Sequence, residues 1–169
     1  TIDLAGHKLY YPVGNNDTFI TVKSGALTVE DSAQVSDTSS DADNDPGQPA
    51  TMAWTGDNNG TPQSLTYYET TSTPNEDKLG TTETTTKHVV SGFGAIVAAS
   101  DGGSVKRVIS VADGSALNLN GGMITTPRTL GNDGHVILSQ GAVNISGGYV
   151  TNGNGGGWGG GLCITGANA

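Results

Sequence analysis

Apolar residues in this chain recur at every second position in short runs, with polar residues between them. Ile20-Thr21-Val22, Leu27-Thr28-Val29, Ile109-Ser110-Val111, Leu117-Asn118-Leu119 and Val143-Asn144-Ile145 all follow that rule. A period of two places alternate side chains on opposite faces of a strand. No segment holds helical spacing long enough to predict a helix. Small residues separate the runs, as in Ser24-Gly25 and Asp113-Gly114-Ser115. Glycine at such corners supplies the positive φ of a tight turn.

The runs also repeat at longer range. Leu117-Asn118-Leu119-Asn120-Gly121-Gly122-Met123-Ile124 returns 26 residues later as Val143-Asn144-Ile145-Ser146-Gly147-Gly148-Tyr149-Val150. Upstream, Ile109-Ser110-Val111 aligns with Val136-Ile137-Leu138 at a spacing of 27, and a further 26 leads to Leu162-Cys163-Ile164. The segment 20–29 carries the same phrase, 2–9 a shorter version, and Phe93-Gly94-Ala95-Ile96-Val97 opens another copy. Repeats of this length mark solenoids, propellers or arrays, and a propeller blade needs about 40 residues and four strands. Two or three short strands per copy instead fit one coil of a parallel β-helix, stacked about 4.8 Å from the next. The predicted fold is therefore all-β, a parallel β-helix with coils of about 26 residues. Its crossovers are right-handed by the general preference of parallel connections. The expected inner column comprises Ile109, Val111, Leu117, Leu119, Ile124, Val136, Leu138, Val143, Ile145, Val150, Leu162 and Ile164.

Residues 34–91 interrupt the pattern. They are rich in Asp, Thr, Ser, Asn and Pro, yet they carry Trp54, Tyr67 and Tyr68. The reading is a single domain over 1–169, with an irregular insertion at 34–91 and regular coils over 92–169. Within the insertion, 65–68 and 81–87 have strand propensity. Insertions in repeat proteins map to one face, which often binds a ligand.

Three phrases carry a family resemblance: Ile-Asp-Leu-Ala-Gly-His-Lys-Leu at 2–9, Ile-Thr-Val-Lys-Ser-Gly-Ala-Leu-Thr-Val-Glu-Asp-Ser at 20–32, and Gly-Gly-Gly-Leu-Cys-Ile at 159–164. The chain over 1–33 and 92–169 resembles the right-handed parallel β-helix modules of large bacterial cell-surface, adhesin-like proteins. The resemblance implies an extracellular location on the bacterial surface. It also implies capture of a host ligand: a glycan, or a glycoprotein such as mucin or an immunoglobulin. Its motifs specify turns and stacking, so it brings no catalytic residue.

Composition narrows the alternatives. A net charge of −9 lacks the basic face that nucleic-acid binding needs. No run of about 18 apolar residues is present, so direct membrane insertion is not expected. The single cysteine, Cys163, has no internal partner for a disulfide. The chain opens at Thr1 without Met and stops just after a strand-like run, which reads as a piece of a longer surface chain.

Candidate chemistry is sparse. Asp41-Ala42-Asp43-Asn44-Asp45 opens like a calcium loop, but Pro46 and Met52 stand where such a loop needs Gly and Glu. Asp41, Asp43 and Asp45 thus remain weak calcium candidates, and no other cofactor is expected. A polysaccharide lyase or glycoside hydrolase is the alternative from the enzyme class, and hydrolysis needs two carboxylates about 5–10 Å apart. Asp101, Asp113 and Asp133 each adjoin glycine and mark turns, and only Arg107 and Arg128 offer guanidinium groups. His7, His88 and His135 show no metal spacing and read as surface or rim residues. The exposed-aromatic rule nominates Trp54, Tyr67, Tyr68 and Trp158 as ligand contacts; the competing reading is that they pin the insertion to its frame. A passive spacer is the third alternative.

Overall fold

The computed structural model describes residues 1–12, 17–42, 47–55, 61–76, 79–99, 105–127, 130–151 and 160–166. The fold is all-β, and no helix occurs among these residues, so none is long and apolar enough to cross a membrane. In chain order the strands are β1 (Ile2–Asp3), β2 (Lys8–Pro12), β3 (Thr18–Val22), β4 (Ala26–Glu30), β5 (Ser36–Asp41), β6 (Thr51–Thr55), β7 (Thr61–Pro74) and β8 (Thr81–Ser91). They continue as β9 (Ala95–Ala99), β10 (Val105–Val111), β11 (Ala116–Leu119), β12 (Met123–Thr125), β13 (Leu130–Ser139), β14 (Ala142–Ile145), β15 (Tyr149–Val150) and β16 (Leu162–Ile164).

Twelve of these strands form three parallel sheets, ordered β1-β4-β11-β14, β2-β9-β12-β15 and β3-β10-β13-β16. The chain visits the three sheets in the same cyclic order four times, so strands of one sheet come from successive passes. The 26-residue spacing is the pairing register: Leu117 faces Val143, Asn118 faces Asn144 and Leu119 faces Ile145. On the other edge of β11, Leu117 faces Leu27 and Leu119 faces Val29. The alternation explains what each face does. Val29, Leu117, Leu119, Ile96, Ile109, Val111 and Ile124 turn inward into one apolar cluster shared by all three sheets. The polar residues between them form outer ladders, with Asn144 donating to Asn118 Oδ1 at 2.8 Å and Ser146 donating to Asn120 Oδ1 at 2.9 Å.

Two sequence expectations are corrected in this frame. Leu138 is not a core residue; Ile137 is. Ile109 faces Ile137, and Ser110 faces Leu138, which is half-buried. The cause is a register jump: Val105 faces Leu130 but Arg107 faces His135, so β13 takes up three extra residues. A slip of one residue moves every side chain to the opposite face. Ser139 therefore occupies the buried place opposite Val111, its hydroxyl donating to the Gly141 carbonyl at 2.8 Å. Ile145 and Ile164, also expected inside, stand in register with Leu119 and Ser139 but are 48% and 44% exposed, since β14 and β16 are the last strands of their sheets among the described residues.

The second correction concerns the insertion, whose described residues form a regular sheet where an irregular segment was expected. Strands β5 to β8 form one antiparallel sheet in the order β5-β8-β7-β6. Its strands are long because Thr, Tyr and Val dominate them, residue types that suit a pleated surface. One face of this sheet presents Leu65 and Val90 against Ala95, Val97 and Met123 of the β2-β9-β12-β15 sheet. That parallel sheet is thus covered on both sides, which accounts for the unbroken apolar run Ala95-Ile96-Val97-Ala98.

The root of the antiparallel sheet is held by two aspartates. Asp31 accepts hydrogen bonds from Gly6 N at 2.8 Å and Gly94 N at 2.5 Å, joining the chain on both sides of the insertion to the first corner. Asp3 accepts from Ala5 N at 3.1 Å and Ser32 N at 2.9 Å.

Candidate binding site on the antiparallel sheet

The aromatic residues nominated from sequence fall into three situations. Trp54, in β6, lies opposite Pro62 and is half-buried against the cluster beneath the antiparallel sheet. Tyr67, in β7, packs on the same cluster and tilts against Tyr149 of β15 at 6.2 Å. Both side chains therefore join the antiparallel sheet to its parallel neighbour. Tyr68 alternates to the opposite face, where its cross-strand partner is Lys87. Trp158 lies outside the described residues.

Register then assembles a cluster from residues far apart in sequence. Tyr67 pairs with His88 across β7 and β8, and their rings stack at 4.7 Å with planes 5° apart. His88 Nδ1 lies 3.1 Å from the Asp37 carboxylate on β5, and its Nε2 lies 3.6 Å from Glu69 on β7. Burial first, then the neighbouring Tyr149 hydroxyl and the Asp37 and Glu69 charges, push the Tyr67 hydroxyl above its ordinary range. The two carboxylates address opposite nitrogens of one imidazole, so their donors diverge. Among the described residues no group of three His, Cys, Asp or Glu side chains is placed to hold a metal ion. Of the calcium candidates, Asp41 is exposed at the end of β5, and Asp43 and Asp45 lie outside the described residues.

Beyond this cluster the sheet narrows to two strands. β6 pairs only with Thr61–Thr66 of β7, whereas β8 continues alongside β7 as far as Pro74. Glu69–Pro74 and Thr81–Thr84 are exposed along their whole length, so a hydroxyl-rich ribbon stands clear of the body. Thr70 and Thr85 bring their hydroxyls within 3.1 Å across it. A concavity of about 560 Å³ sits at a corner lined by Gly25, Asp113, Gly114, Ser115, Gln140 and Gly141. It offers one carboxylate and no aromatic side chain.

Sequence reasoning missed the grouping of Asp37, Glu69, His88 and Tyr149. Neither Tyr67-Tyr68-Glu69 nor His88-Val89-Val90 alternates between polar and apolar residues, so no pattern in the sequence marks the cluster. Only the strand register brings these residues together. Comparisons with family models, curated proteins and solved structures found no match.

Proposed function

We propose that the three parallel sheets wind as a right-handed parallel β-helix, and that the chain is a module of a bacterial cell-surface, adhesin-like protein. In this reading it is non-catalytic and binds a host ligand, a glycan or a glycoprotein such as mucin or an immunoglobulin. Support for the winding comes from four passes in one cyclic order with inner residues in register. The near-universal handedness of parallel crossovers supplies the hand.

The observation that carries the binding role is the antiparallel sheet: it is packed on the rigid frame at its base and exposed on both faces at its far end. A surface of that form presents a ligand-binding ribbon without requiring the frame to move. Tyr68 and the adjoining ribbon are the contact surface in this reading, and Trp54 and Tyr67 hold the sheet in place. The test is capture on an array of host glycoproteins and glycans, with Tyr68→Ala compared against Asn144→Ala on the frame. The expected outcome is at least tenfold weaker capture for Tyr68→Ala alone. Equal loss in both variants, or capture by neither them nor the unchanged chain, would contradict the binding role.

A further inference from the structure

Half of β7 has a neighbour on one side only. From Tyr67 to Pro74 its partner is β8, and among the described residues nothing pairs with its other edge. These eight residues span roughly 26 Å at strand spacing. In an antiparallel pair, every second residue turns both its N–H and its C=O away from its partner. The free edge therefore presents a row of main-chain donors and acceptors whose spacing only another extended polypeptide reproduces.

Charge narrows the partner further. Glu69 and Glu83 lie on opposite faces of the ribbon, since Glu83 pairs with Ser72 and Glu69 alternates with it. Asp37, Asp41 and Glu76 add to them, against Lys87, among the described residues of the antiparallel unit. Glu69 thus flanks an added strand directly on one face, and Glu83, one strand further in, adds negative potential on the other.

We propose that the edge of β7 between Tyr67 and Pro74 captures an extended, basic polypeptide segment as an additional strand. This deepens the host-ligand reading and rests on it: it names polypeptide rather than glycan as what the ribbon recognises. The site is a main-chain edge with acidic flanks, so recognition depends on strand formation first and on Lys or Arg positions second.

The test uses the full chain, isotopically labelled, and a synthetic peptide of alternating Lys and Val as the probe. Amide hydrogen exchange is read residue by residue. Added protection confined to alternate amides of residues 68–73, and affinity falling about tenfold in Glu69→Lys/Glu83→Lys, is the expected result. Amide exchange across the β7–β8 pairs, unchanged in that variant without peptide, verifies that the ribbon is intact. Protection elsewhere, or protection in the absence of peptide through pairing with a second copy, would overturn the inference. So would capture of a host glycoprotein with the ribbon amides unaffected, an outcome that leaves the host-ligand reading standing. No capture of any host molecule, with the peptide still protecting the ribbon, would instead remove that reading and leave strand addition as a property of the edge.

Discussion

Glycines at the corners act in two separable ways. Gly25 has φ of +70° and no atom near the place of a Cβ, so its requirement is conformational alone. Gly141 has no such φ, but a Cβ there would lie 2.1 Å from the Ser115 carbonyl oxygen of the adjacent pass. The first substitution, Gly25→Ala, should cost about 1 kcal/mol, the penalty of an L-residue in the left-handed region. Gly141→Ala should cost about 3 kcal/mol, because backbone must move to admit the methyl group. Chemical denaturation of the two variants checks the order, and a reversal would show that the passes are not packed this closely. Titration adds a second residue-scale prediction. Hydrogen bonds from the Ser32 main chain and hydroxyl, the largest causes, hold the Asp3 carboxyl below its ordinary range despite some desolvation. A lowered carboxyl stabilises the fold above about pH 3.9 and loses that contribution as pH falls through its folded value. Asp3→Asn should therefore flatten the acid limb of stability below about pH 4 and leave the slope at neutral pH unchanged. Tyr67 has the opposite sign: its raised hydroxyl contributes below about pH 10 and loses that contribution as pH rises through its folded value. Absorbance titration should show one tyrosine ionising late, and Tyr67→Phe should remove that step.

At the level of elements, the register of β13 is the most exposed claim. Ile137 is fully buried and Leu138 is half-buried on the other face. A lysine at 137 would bury an unpaired charge and should cost about 4 kcal/mol or more, while Leu138→Lys should stay within about 1 kcal/mol. Thermal unfolding distinguishes them, and equal effects would restore the register read from sequence alone. That reading placed most of the parallel strands because Leu117–Ile124 and Val143–Val150 repeat without gaps, so one spacing served throughout. It kept Val136, which is buried as expected, but failed at 137–138, because the extra residues taken up in β13 leave no trace in the apolar pattern. The antiparallel sheet was only partly legible. The strand propensities of 65–68 and 81–87 were visible, but Thr in long runs carries no alternation from which to read a face. The composition change after Gln34 coincides with the passage from parallel to antiparallel pairing. The Asp37–His88–Glu69 cluster was not legible, since it depends on three strands meeting in one register.

Across the whole molecule, two apolar clusters meet at the β2-β9-β12-β15 sheet, one shared by the three parallel sheets and one beneath the antiparallel sheet. Val90→Ala should loosen the antiparallel sheet by about 2 kcal/mol, a little more than the transfer cost of the lost methyl groups. Hydrogen exchange should locate that effect in β5 to β8, whereas Leu117→Ala should raise exchange in all three parallel sheets. The central claim is that inner side chains one pass apart stack into continuous columns. A methyl nuclear Overhauser spectrum tests it most directly. The winding predicts cross-peaks joining Leu119 to both Val29 and Ile145, and Leu117 to both Leu27 and Val143. Their absence, with Leu119 and Ile145 instead contacting unrelated methyl groups, would contradict the stacked parallel frame and remove the platform on which the antiparallel ribbon stands.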